Sequence, residues 1–254
     1  MARRLAELTY EEVAALLAEG RGIAIVPVGS VEPHGPHLPL ETDTTISVTC
    51  ALRAADRLEA ADANVRVVVA PSVPYGVTDY ASGFAGAIGV PAAALTAMLR
   101  AITVSLHATG FAHVCFVNNH LEPAHDTAVR AAIEGLPAGS ASVACPLTRR
   151  WGRTLSDEFK RGDCHAGRYE TSLALAAGAT VRPSFDALPT LGLSLADAIR
   201  AGKSTFVEIG MDRAYTGAPR EATREEGDAL YEKLVTMVLT EITEALATLV
   251  ASKP

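Results

Sequence analysis

Four short runs of β-branched and other apolar residues alternate with helix-like segments through the first half of the chain. No other feature restricts the fold as much. The runs span residues 23–28, 65–70, 112–117 and 141–145. Each is too short for a typical helix and reads as a strand. Residues 9–18 read as a helix, with Thr9 as cap, Glu12 in the capping-box position and Gly20 beyond the end. Asp43 or Thr44 is placed to cap a helix running to about Ala60. Pro91 suits the first position of an apolar helix ending near Gly110, and Pro123 or Ala124 opens another to about Glu134. Strands separated by helices imply a parallel sheet covered on both faces. The expected class is α/β.

Beyond these units the pattern changes. Residues 173–177 read as helix, and residues 180–220 follow no clear periodicity. Residues 221–249 read as one long helix with Leu230, Leu234, Val238, Ile242 and Leu246 on a stripe. No repeat, low-complexity tract or linker divides the chain, so residues 1–254 are expected to form one domain.

Two short pairs carry the chemistry. Glu32 and His34 follow the first run, and His120 and Glu122 follow the third. Side chains at i and i+2 of an extended segment leave the same face, so each pair offers two ligands to one spot. Both pairs fall at strand carboxyl ends, where open parallel sheets bind ligands. Asp43, after a Pro/Gly-rich stretch, adds a third carboxylate that can bridge cations. Two imidazoles and three carboxylates make a nitrogen/oxygen donor set that suits Zn, Mn or Fe. Two such metals about 3.5–4 Å apart can share a water and lower its pKa toward neutrality. His37 is a spare imidazole for a supporting role. His125 and Asp126 are expected to face solvent or a helix end.

A third constellation runs Gly162-Asp163-Cys164-His165-Ala166-Gly167-Arg168-Tyr169-Glu170-Thr171-Ser172. His165 is a candidate proton shuttle. Glu170 can orient it, ligate a metal or cap the following helix. Cys164 is a poor nucleophile candidate, since adjacent residues of an extended segment point to opposite faces. Residues 75–84 form a glycine-containing loop placed to touch substrate.

Other function classes are excluded by composition. A net charge of −7 with no dense basic patch argues against a nucleic-acid partner, as does the 5% aromatic content. The most apolar stretch, 90–106, is broken by Pro91 and Arg100, so no membrane span is expected. Early charges leave no signal-peptide core, which predicts a cytoplasmic protein. The four cysteines have no C-x-x-C spacing and read as reduced, buried thiols. No phosphate-binding glycine motif and no G-x-S-x-G elbow occur.

Residues 26–43, VPVGSVEPHGPHLPLETD, resemble the signature of the creatininase (creatinine amidohydrolase) family. Val117-Asn-Asn-His120-Leu121-Glu122 resembles its Asn-Gly-His motif, and His165-Ala-Gly-Arg-Tyr-Glu170-Thr-Ser its His-Ala-Gly-x-x-Glu-Thr-Ser motif. A weaker C-terminal pattern is matched by Tyr215-Thr-Gly217-Ala-Pro219. The resemblance implies a three-layer αβα sandwich, two divalent metal ions and hydrolysis of a non-peptide C–N bond in a small molecule. It also implies a homo-oligomer, commonly a hexamer. Carried over, Glu32, Asp43 and His120 would hold one metal, and His34, Asp43 and Glu122 the other. His165 would move the proton. Glu170 would be a supporting acid, or a ligand in members lacking an acid at the Glu122 position. Thr78 falls where the family often has a substrate-contacting Ser, and Leu121 and Asp163 are further candidate substrate contacts.

Some positions depart from the family pattern. Creatininases carry a Trp shortly before the active-site histidine, whereas here Lys160-Arg161-Gly162-Asp163 fills that stretch and the only Trp is Trp151. Ala85-Gly86-Ala87 replaces the usual Pro-Gly-Thr. These differences argue against creatinine and leave Arg161 or Arg168 as partners for an anionic substrate. Other members act as a formamide deformylase, as a peptidase in cofactor maturation or on a keto-inositol. A non-catalytic metal-binding protein is the remaining alternative.

Overall fold

A computed structural model describes residues 2–251. Among them, five parallel strands form one sheet in the order β1-β3-β2-β4-β5. The strands are β1 (Arg3–Arg4), β2 (Arg21–Val28), β3 (Val65–Val69), β4 (His113–Asn118) and β5 (Ala141–Ala144). β2 lies at the centre, with Ile25 in register with Val69 on one side and Cys115 on the other.

Alternation along β2 builds the layers. Ile23 and Ile25 face one way, toward α2 (Thr42–Ala61), α7 (Arg168–Ala177) and α10 (Arg224–Ala251). Ala24, Val26 and Val28 face the other, toward α1 (Tyr10–Glu19), α3 (Ala92–Ala108) and α4 (Pro123–Ala131). A strand apolar on both faces must be covered on both, which makes the three-layer αβα sandwich. Two short helices, α5 (Arg149–Gly152) and α6 (Asp157–Arg161), follow β5. Residues 180–220, expected to be irregular, contain 3-10 turns and two short helices, α8 (Leu195–Arg200) and α9 (Phe206–Ile209). Among the described residues no helix is long and apolar enough to cross a membrane.

The capping box of α1 forms as expected: Thr9 Oγ1 accepts from Glu12 N, and Glu12 accepts from Thr9 N. Two helix starts differ. Pro91 caps α3 rather than opening it. Helix α2 begins at Thr42, capped by the backbone of Glu41, while Thr42 Oγ1 donates to Pro39 O. Asp43 therefore lies inside the first turn and caps nothing. Its carboxylate is free to turn toward the sheet edge. Gly29 lets β2 and α2 approach this closely, since a Cβ there would lie 2.5 Å from Thr44 Oγ1. Ser47 of α2 donates to Val28 O at the end of β2 and accepts from Asn119 N after β4. That hydroxyl ties both motif-bearing segments to the helix carrying Asp43.

Candidate metal centre

The carboxyl ends of β2 and β4 open onto a cavity lined by Glu32, Asp43, His120, Glu122, His165 and Glu170, among others. Three histidines are oriented by the same device. His34 Nδ1 donates to Glu32 O at 3.1 Å. His120 Nε2 donates to Val77 O at 2.6 Å, and His165 Nε2 to Pro33 O at 3.0 Å. A carbonyl only accepts, so each bond fixes the tautomer and aims the other nitrogen's lone pair away. Those nitrogens converge on the carboxylates. His34 Nε2 lies 3.1 Å from Asp43 Oδ1 and 3.4 Å from Glu170 Oε2. His120 Nδ1 lies 3.0 Å from Asp43 Oδ2 and 3.2 Å from Glu32 Oε1. His165 Nδ1 lies 3.9 Å from Glu32 Oε1.

These donors group into three triads: Glu32–Asp43–His120, His34–Asp43–Glu170 and Glu32–His34–His165. In each, the ligand atoms lie within 4.8 Å of one another. Asp43 belongs to two of them, with Oδ1 nearest His34 and Oδ2 nearest His120. Glu32 Oε2, Asp43 Oδ2 and His120 Nδ1 are buried and make no hydrogen bond, although Asp43 and His120 almost touch. Buried polar atoms left without a hydrogen bond are costly. A divalent cation between them would satisfy all three, so the residues fit the metal that the sequence implies.

The electrostatics point the same way. Burial disfavours the His34 imidazolium, but Asp43, Glu170 and Glu32 override it and raise its pKa to about 10. His120 is likewise raised, against burial, by Glu32 and Asp43. Burial pushes Glu170 up and Glu122 up to about 7. Asp43 is held low, against burial, by His34 and His120. The carboxylates thus make this a cluster that strongly attracts positive charge. His165 is different: burial, and then His34 with its ring centre 4.6 Å away, lower it to about 4. It is a neutral base at pH 7.

Glu122 lines the cavity but joins none of the triads. Its carboxylate accepts from Asp79 N and Tyr80 N. The i, i+2 argument did bring it to the same side as His120, 3.9 Å from Nε2. That is the nitrogen spent on Val77, so Glu122 lies across the ring from Asp43. Glu170 occupies the place expected for Glu122 beside His34. Its Oε2 accepts from Ala166 N, in a turn where Ala166 adopts φ +49°.

The candidate substrate contacts separate. Leu121 lines the cavity. Thr78 is buried but shares a hydrogen bond with Ser30 at 2.6 Å, and Asp163 pairs with Arg161 at 3.2 Å; neither lines the cavity. Arg161 and Arg168, weighed as partners for an anionic substrate against a solvated role, do not line it either. Arg168 is held by Glu226 and Glu221, and Arg161 remains largely exposed. From the 75–84 loop, Tyr80 reaches the cavity. His37 hydrogen-bonds Thr171 of α7, a supporting contact.

His125 corrects an expectation. It is fully buried, accepts from Val77 N and meets the His120 ring edge-on at 4.7 Å. Its position on the buried stripe of His125, Ala128, Val129 and Ala132 was the overlooked signal. Two other contributors had no local signal. Phe206 lies over the His165 ring at 4.5 Å, and Glu158 organises the turn that presents His165. Trp151 is outside the cavity and donates to Glu241. The four cysteines are free and buried, and the Cys164 thiol is pushed well up by burial, which argues further against a nucleophile.

A cavity lined by clustered histidines and carboxylates at the carboxyl edge of a parallel sheet defines a class, and comparison with known proteins gives the family. The family model for creatininase (creatinine amidohydrolase) matches residues 6–242. The chain therefore belongs to the creatininase family of hydrolases. It is 32% identical over 224 residues to the mycofactocin precursor peptide peptidase of Mycobacterium tuberculosis (strain H37Rv), covering 83% of this chain and 80% of that protein. It is 30% identical over 121 residues to the creatinine amidohydrolase of Pseudomonas putida, covering 46% and 44%. A creatininase point mutant described as Zn–Zn type superposes with a TM-score of 0.75 at 21% identity, covering 96% of this chain and 98% of that one.

Proposed function

We propose that this protein is a metal-dependent amidohydrolase that cleaves a C–N bond with water activated by two divalent cations. The carrying observation is the set of buried, unbonded donors on Glu32, Asp43 and His120. Glu32, Asp43 and His120 would hold one cation, and His34, Asp43 and Glu170 the other, with Asp43 shared. Zn, Mn and Fe all suit this donor set. Bound there, the cations supply Lewis acidity and lower the pKa of water toward neutrality. The chain's own groups do the rest. The backbone carbonyls of Glu32, Val77 and Pro33 hold three imidazoles in the required tautomer. Neutral His165 takes a proton through Nδ1 and returns it to the leaving nitrogen. Phe206, Ile199 and Leu195 shield the acidic floor from solvent.

The scissile bond is open to two readings. A non-peptide amide of a small, possibly cyclic molecule follows from the family model. A peptide bond is favoured by the peptidase relative, which aligns over most of the chain while the creatinine amidohydrolase aligns over less than half. One experiment tests both. Protein stripped with a chelator and reloaded with Zn, Mn or Fe is offered lactams, formamides and short peptides. Metal-restored hydrolysis supports the assignment, and the substrate turned over separates the readings. Stoichiometric metal without turnover of any amide would leave a metal-binding protein instead.

A further inference from the structure

The cavity has an acidic floor and an apolar wall. The wall is built by Leu121 on one side and by Tyr80, Leu195, Ile199 and Phe206 on the other. No Lys or Arg among the described residues lines it. Backbone bonds fix the wall in place. Phe206 N donates to Tyr80 O at 2.8 Å, and Tyr80 Oη donates to Lys203 O at 3.1 Å. Leu195 N donates to Gly162 O at 2.8 Å. Phe206 also packs edge-on against Phe84 at 6.3 Å, with Ile209, Met211 and Ala214 in the same cluster. The ring over His165 is therefore pre-positioned rather than adaptable.

A carboxylate seated against this wall would lose its water and meet four carboxylates, Glu32, Asp43, Glu122 and Glu170, with no Lys or Arg in the lining. Metals on the floor would neutralise those acids without adding a counter-charge to the wall. An uncharged apolar group has no such cost and gains contact with the apolar side chains of the wall. The geometry points to Phe206, with Ile199 and Leu195, as the specificity-determining wall: it seats an uncharged apolar group beside the scissile C–N bond and rejects a carboxylate there. This rests on the amidohydrolase reading and names the kind of substrate that reading leaves open.

The test is calorimetric titration of metal-loaded protein with acetohydroxamate, phenylacetohydroxamate and succinate monohydroxamate. Phenylacetohydroxamate is expected to bind at least about tenfold more tightly than succinate monohydroxamate, the scale on which apolar pockets discriminate. Phe206→Ala should shrink that ratio about tenfold. Because Phe206 is also part of the packed cap, Ile199→Arg provides an independent arm. Ile199 is half-buried on a short helix, and the new cation should shift preference toward the succinate probe. Equal affinity of wild-type protein for the two substituted probes, or an unmoved ratio in Ile199→Arg, overturns the wall alone. Failure of acetohydroxamate to bind metal-loaded protein overturns the hydrolytic reading and the wall with it.

Discussion

Glu158, on α6, and Glu32, after β2, are both buried carboxylates, 6% and 2% exposed. Their hydrogen bonding is opposite. Glu158 accepts from Arg168 N, Tyr169 N and Ala218 N at 2.7–3.0 Å. It caps the first turn of α7, whose own cap residue, Gly167, has no side chain to do so. Gly217, at φ +73°, passes so close that a Cβ there would lie 1.9 Å from Glu158 Oε1. Glu32 leaves Oε2 without any hydrogen bond, beside equally unbonded atoms of Asp43 and His120. A closed network holds the chain in place, whereas an open cluster of the same groups is a site waiting for a ligand. The same burial thus serves opposite purposes, and the partners tell them apart.

Substitutions at the open cluster should abolish function, and those at the closed one should cost stability. The largest effect is expected from Asp43→Ala, which removes the shared ligand. Both metals and all measurable hydrolysis should be lost together. Full metal content by mass spectrometry in that variant would take Asp43 out of the bridge. His165→Ala should keep its metals and lose about 10²–10⁴ in kcat, the usual worth of a positioned acid–base. Unchanged turnover would give the proton to another group. Glu158→Ala strands three backbone donors and should cost about 3–5 kcal/mol in urea unfolding, with the metal ligands themselves untouched. Glu158→Gln retains one acceptor oxygen and should cost less. A Glu158→Ala protein as stable as wild type would show that the clamp is incidental.

The open cluster was far more legible in the sequence than the closed one. The unbroken apolar run of residues 23–28 dictates a strand buried on both faces, and the two motif pairs follow strands that become neighbours in the sheet. Their meeting is a consequence of parallel topology. Ring orientation was not legible. The spacing of His120 and Glu122 says that they share a side, but only Val77 O decides which imidazole nitrogen faces Asp43. Helix starts were read correctly at Thr9, whose side chain caps α1, and at Pro123, which opens α4, but the start of α2 was misplaced onto Asp43 or Thr44 because its cap position, Glu41, makes no side-chain cap bond. β1 escaped notice because Arg3 and Arg4 form a polar edge with no periodicity. Glu158 and Phe206 sit on the short helices α6 and α9, whose contacts with the site are set by the tertiary fold. No local pattern encodes such contacts.

The closed and open arrangements can be compared among imidazoles as well, with a smaller effect. His113 on β4 is fully buried, and both nitrogens are partnered: Nδ1 donates to Gly139 O at 2.9 Å, and Nε2 accepts from Ser142 Oγ at 3.0 Å. Burial lowers its pKa to about 4, in contrast to His34, which carboxylates raise. The sign follows from proton counting. Between about pH 6.5 and 4 the unfolded chain protonates this histidine and the folded chain does not. The unfolded state then binds more protons, so stability rises with pH across that window. Its contribution is complete above about pH 6.5 and is lost as pH falls toward 4, at most about 3 kcal/mol. His113→Gln should unfold less steeply with acid than wild type over that range in metal-free urea titrations. An identical slope in the two proteins would mean that His113 does not hold its neutral state, and that partnered burial alone does not separate it from the histidines of the cavity.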